Sequence, residues 1–215
     1  MPKSEAAAIV GILLTAAIGA CDVTVRDDDD NGRTTPAGRG APVQPAPAVP
    51  ARPSAMDLRF VVDLSDRKLY VLRGADTVRA EPVAVGTREH PTPTGEWTIH
   101  RVDWNPDWTP PPGEEWTEDK EPQPPGSPKN PMGRVRLVFN PPYTVHGTRE
   151  RESLGKAESH GSIRVSNPAA VELGRMVMDA GGAMKEESFF QRVEANRKKM
   201  QQVSIPRPIP ISIQQ

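Results

Sequence analysis

The sequence predicts a mainly β domain, a sandwich or distorted barrel, with one or two helices toward its C-terminal end and a long lid loop. Three observations lead there. About seven short runs rich in β-branched and aromatic residues occur between 58 and 213, closed by turn residues. Helical periodicity is confined to about 167–200. Of 25 prolines in 215 residues, fifteen fall in 31–55 and 104–131, so the remainder has near-ordinary composition and enough length to bury one core.

Leu58 to Leu64 (LRFVVDL) and Lys68 to Arg73 (KLYVLR) read as strands joined by a hairpin turn at Ser65-Asp66-Arg67. Gly74-Ala75-Asp76 turns the chain into a third strand, about Thr77 to Val85, which Gly86 ends. After the loop HPTPTGE, Trp97 to Val102 is a fourth, and Arg134 to Phe139 and Thr144 to His146 follow around the turn Asn140-Pro141-Pro142. Asn167 is the expected N-cap with Pro168 at the first helical position. Leu173, Met176, Val177 and Ala180 then share one face before Gly181-Gly182 closes the helix. A second helix, about Lys185 to Met200, should bury Phe189, Phe190 and Val193 and leave its Lys and Arg residues solvated. The closing QVSIPRPIPISI alternates apolar and polar residues, and its prolines make it an edge strand.

Segment 103–133 is too long for a structureless connection in a compact domain. It holds Trp104, Trp108 and Trp116, three of the four tryptophans. It is read as a lid over a groove, or as a surface loop whose tryptophans pack on the core; long ordered loops favour the lid.

Residues 6–20 form an uncharged run of 15, shorter than the roughly 20 of a membrane span and suited to the apolar region of a secretory signal. The run ends Ile18-Gly19-Ala20-Cys21, which resembles a bacterial lipobox. That resemblance implies cleavage before Cys21 and its acylation, hence a membrane-anchored lipoprotein facing the periplasm or cell exterior. The alternative is an ordinary signal peptide with an incidental Cys. Residues 22–55, an acidic run at Asp27 to Asp30 followed by Pro-rich sequence, hold too little apolar area to fold and read as a disordered tether. The organisation is therefore signal peptide and lipobox 1–21, tether 22–55 and folded domain 56–213.

Lys+Arg 27 against Asp+Glu 28 leaves a net charge of −1, which argues against a nucleic-acid partner bound through a basic field. A single Cys excludes an intrachain disulfide framework, CxxC redox motifs and Cys-rich zinc sites. No GxSxG elbow occurs, and neither His146 nor His160 belongs to an HExxH pattern, so no metal site is assigned. His90 and His100 show no partner pattern.

Two segments carry the chemistry: Tyr143-Thr144-Val145-His146-Gly147-Thr148 and Ser159-His160-Gly161-Ser162-Ile163-Arg164. With PTPTGEWTI (91–99) and NPMG (130–133), they resemble the L,D-transpeptidase, or YkuD-type, catalytic domain over about residues 57–213. The resemblance implies a transferase of cell wall biogenesis that needs no cofactor. In that family a Cys attacks the peptide bond after the third residue of a peptidoglycan tetrapeptide stem. The acyl group then passes to an amine on another stem, to a protein lysine, or to water. Carried onto this chain, His146 is the base, the Gly147 carbonyl orients its imidazole, and Gly161 and residue 162 supply oxyanion donors. Tyr143, Ser159, His160 and Arg164 line the substrate pocket.

The chain departs from the family at the nucleophile, which is Ser162; the only Cys is Cys21. A Cys beside a His is readily held as thiolate, whereas a Ser hydroxyl must lose its proton during attack itself. Ser162 is therefore a working serine nucleophile, the mark of a non-catalytic relative that binds stem peptides or regulates envelope assembly, or an engineered change. The signal and tether speak against the last. Between the first two, the presence of His146, Ser159, His160, Gly161 and Arg164 favours the enzyme, an acyl transferase on tetrapeptide stems. Geometry tests this: an enzyme brings Ser162 Oγ within hydrogen-bond reach of His146, and a groove without that pairing favours binding.

Overall fold

The computed structural model describes residues 57–215, all within the second of the chain's two units, residues 49–215. Cys21 and the expected signal peptide and tether lie outside the described residues. In chain order the strands are β1 Leu58–Asp63, β2 Lys68–Arg73, β3 Asp76–Pro82, β4 Val85–Gly86, β5 Gly95–Trp104, β6 Val135–Asn140, β7 Tyr143–Thr148, β8 Ala157–Ser159 and β9 Ile163–Ser166. Helices α1 Asn167–Ala180 and α2 Glu187–Ala195 follow, then β10 Gln201–Gln214.

Alternation builds the sheet. Leu58, Phe60 and Val62 of β1 and Leu69 and Val71 of β2 point into the core while their neighbours face outward. The β1–β2 turn closes with Arg67 at φ 53° and the Asp63 carboxylate accepting the Asp66 N–H at 2.8 Å. Eight strands form one barrel-like sheet in the order β3-β2-β1-β10-β5-β6-β7-β9, beside a short parallel pair, β4 and β8. Helix α1 lies across β6, β7 and β10 and buries Leu173, Val177 and Met178 against the sheet.

Several expectations change. The expected strand 77–85 stops at Pro82, and β4, β8 and β9 are short strands with no clear sequence signal. The N-cap of α1 is Ser166, whose Oγ accepts the Ala169 N–H, which frees the Asn167 side chain for other bonds. The end of α1 is as read: Gly182 at φ 76° allows the Ala183 N–H to reach the Met178 carbonyl at 2.7 Å. The second helix is only nine residues long.

The largest correction is β10, which lies fourth of eight in the sheet, parallel to β1 and antiparallel to β5. Its prolines are tolerated because of where pairing lapses. Pro206 and Pro208 fall in the break in the β5 register between Ser204 and Ile209, and Pro210 precedes the stretch paired with β1, which begins at Ile211.

The segment between β5 and β6 is ordered by its own hydrogen bonds. Trp108 and Gln123 exchange backbone bonds at 2.9 and 2.7 Å, and Asn130 Nδ2 donates to the Pro106 carbonyl at 2.9 Å. Thr117 Oγ1 pins a 3-10 turn at Glu115–Thr117 through the carbonyls of Pro111 and Glu114. Both readings of its tryptophans hold in part. Trp104 belongs to the core, packed on Phe189 and Phe190, whereas Trp108 and Trp116 line a cavity.

Candidate active site

The cavity, about 640 Å³, opens over one face of β5, β6 and β7 and is roofed by the Pro-rich segment. Sheet register sets its floor in two rows. One runs Arg101, Val138, Thr144; the other runs Asp103, Arg136, His146, Arg164. Asp103 is fully buried and holds Arg101 and Arg136, each at 2.8 Å. Arg164 extends to Glu150 at 2.7 Å, so this expected pocket residue already has an exposed carboxylate partner.

His146 is buried, with Nδ1 2.9 Å from the Gly147 carbonyl. A carbonyl only accepts, so Nδ1 carries the proton and Nε2 keeps its lone pair. Burial pushes the imidazole down to about 4; the Gly147 bond opposes this, and Arg164 and Arg136 add to it. His146 is thus a neutral, weakly basic imidazole at pH 7. The Gly147 end of β7 is braced by Asn167, whose Oδ1 accepts the Arg134 N–H at 2.8 Å and whose Nδ2 donates to the Thr148 carbonyl at 3.0 Å. Sequence reasoning assigned Asn167 only to capping.

Ser162 sits just before β9, in the same cavity lining as His146. Its Oγ accepts the backbone N–H of Thr144 at 3.2 Å. Among the described residues no hydrogen bond joins Ser162 Oγ to His146. The turn itself is tightly held: Ser159 Oγ donates to the Ser162 carbonyl, and Gly161 takes φ 95°. A Cβ on Gly161 would meet the Tyr143 ring at 2.5 Å, so only glycine lets Tyr143 close on this turn. Tyr143, Ser159, His160 and Arg164 all border the cavity.

His160 is stacked on Trp116 at 3.9 Å between ring centroids. His90 completes the wall, 5.0 Å from His160, with Glu114 3.9 Å from its Nδ1. The sequence offered no sign of this, because the three rings come from segments far apart in the chain. Burial lowers the His160 imidazole's proton affinity, and His90, Arg164 and Lys120 lower it further against Glu114. His100 lies exposed on β5, away from the cavity. Among the described residues, no cluster of three or more His, Cys, Asp or Glu could hold a metal ion.

The family model of the L,D-transpeptidase catalytic domain (YkuD) matches residues 57–186. The chain belongs to that family. Its L,D-transpeptidase domain is 30% identical over 126 residues to the YkuD protein of Bacillus licheniformis, covering 58% of this chain and 63% of that one. It is 33% identical over 118 residues to a Fuscovulum blasticum protein from the ATP synthase subunits region, covering 53% and 61%. Both relatives carry the L,D-transpeptidase name, and the chain spans under two thirds of the length of each. Among solved structures, an L,D-transpeptidase from Mycobacterium smegmatis aligns with 74% of this chain and 59% of its own, at 18% identity and a TM-score of 0.48. The match to the L,D-transpeptidase family model contains both site segments and His90 and Trp116, and ends before β10.

Proposed function

We propose that this L,D-transpeptidase-family domain binds peptidoglycan tetrapeptide stems in the His146–Ser162 cavity without turning them over at an appreciable rate. One observation carries the reading: Ser162 Oγ rests on the Thr144 N–H and makes no hydrogen bond to His146. A hydroxyl nucleophile needs a base in contact, and a His held at about 4 is a weak one. The roofed cavity suits an extended peptide, and Arg164, whose present partner Glu150 is exposed, can exchange it for a ligand carboxylate.

A second reading, a serine acyltransferase, draws on the His146 tautomer, whose Nε2 is free to accept a proton. In that reading Ser162 Oγ attacks the stem carbonyl carbon, its proton passes to Nε2, and His146 then protonates the leaving D-alanine amine. The acyl group afterwards moves from Ser162 to an acceptor amine or to water.

The deciding experiment incubates the protein, Ser162→Ala and Ser162→Cys with disaccharide-tetrapeptide and follows products by mass spectrometry. Binding by the wild type without D-alanine release, with release gained in Ser162→Cys, is expected. Release by the wild type that is lost in Ser162→Ala would overturn binding in favour of the serine enzyme. We further infer anchoring to the cell envelope through acylated Cys21, supported by the lipobox-like run before it. Cys21→Ser should move the protein from the membrane fraction to the soluble fraction; an unchanged distribution would remove the anchor.

A further inference from the structure

Among the described residues, two buried side-chain polar atoms have no hydrogen-bond partner: Arg73 Nε and Thr144 Oγ1. Of the two residues, only Thr144 lines the cavity. Native folds satisfy nearly all such atoms, so an orphan inside a binding cavity points to a partner that arrives with the ligand.

The placement of Thr144 agrees. It stands two residues before His146 on the same face of β7, and its own N–H holds Ser162 Oγ. Thr144 thus shares the cavity lining with both groups expected to meet a scissile bond. The strand neighbour of Thr144 is the apolar Val138, and the one charge in its row, Arg101, lies a strand further on and is paired with Asp103; the other charges, Arg136, His146 and Arg164, are in the second row. A neutral polar group fits that spot better than a carboxylate, which would be drawn to the arginines. A hydroxyl both donates and accepts, as a peptide amide demands. Thr144 is 5% exposed and its Oγ1 is covered from water, so a bound group must press against the strand to reach it.

We propose that Thr144 Oγ1 is a substrate-positioning group that hydrogen-bonds a backbone amide of the bound stem peptide. The proposal rests on the cavity being a stem-peptide site. Leaving the hydroxyl unpaired costs stability in the free protein, and the ligand restores the lost bond.

The test uses the full chain, Thr144→Val and Thr144→Ser, with calorimetric titration of a disaccharide-tetrapeptide and thermal unfolding without ligand. Valine keeps the shape and removes the hydroxyl. The expected result is a ligand-free unfolding temperature equal to or above wild type, with affinity lowered about tenfold. Thr144→Ser should bind within about twofold of wild type. A Thr144→Val protein that is less stable or fails to fold would show that the hydroxyl serves the fold, and unchanged affinity would show it inert; either overturns the proposal. A wild type that binds no stem peptide overturns the reading of the cavity itself, a result distinct from both.

Discussion

The imidazole of His160 lies flat on the indole of Trp116, with ring centroids 3.9 Å apart and planes 20° from parallel. One ring comes from the Pro-rich segment and the other from two residues before Ser162, so this contact ties the roof to the site. Aromatic pairs of this kind contribute about 0.5–1.5 kcal/mol beyond burial. Trp116→Ala should therefore lower stability by about 0.5–1.5 kcal/mol beyond the loss of its buried area, while amide exchange across 113–120 speeds up roughly tenfold. Equal protection in both proteins would mean that the bonds of Thr117 and Asn130 hold the segment unaided.

His146 makes stability depend on pH in a defined window. Unfolded, it titrates near its ordinary 6.5; folded, near about 4. Between those values the unfolded chain binds the extra proton, so the contribution is complete above 6.5, falls away as pH drops toward 4, and is flat below. The loss approaches about 3 kcal/mol. Urea unfolding at pH 7, 5 and 4 should show a steeper decline for wild type than for His146→Gln, and parallel declines would contradict the assignment.

Asp103 is a stronger structural test than any exposed charge nearby. Its fully buried carboxylate serves both Arg101 and Arg136, and removing one partner of a buried ion pair leaves the rest uncompensated. Asp103→Asn should cost about 3 kcal/mol in urea unfolding. Glu150→Gln, which loses an exposed contact to Arg164, should cost less than about 1 kcal/mol. Similar values for the two would refute the distinction.

Gly161→Ala places a Cβ against Tyr143 at a backbone angle of φ 95°. Tyr143→Ala removes the collision but not the backbone strain. Stem-peptide affinity should therefore fall by at least tenfold in Gly161→Ala and recover only in part in the double variant. Full recovery would assign the whole effect to the collision.

The longer strands between 58 and 146, though not the two-residue β4, were readable because half-buried strands alternate and Gly or Pro marks their ends. The two site segments were readable because their spacing is local. What the sequence hid depends on distant pairing. QVSIPRPIPISI has the prolines of an edge strand, yet a lapse in register lets it run through the middle of the sheet. The capping pattern at Asn167 was sound chemistry one residue out of place, since Ser166 caps and Asn167 braces β7 instead. His90 looked solitary because its neighbours, Trp116 and His160, are remote in the chain. The hydrogen bond from the Thr144 N–H to Ser162 Oγ is a matter of side-chain placement, which no residue pattern encodes.

The central position of β10 also orders events during synthesis. In the sheet, β3-β2-β1 and β5-β6-β7-β9 are joined through β10. A ribosome that has made everything through α2 has produced two half-sheets with raw edges and no strand to bridge them. Closure must wait for residues 201–214, and until they arrive both half-sheets keep raw edges open to strand-swapping.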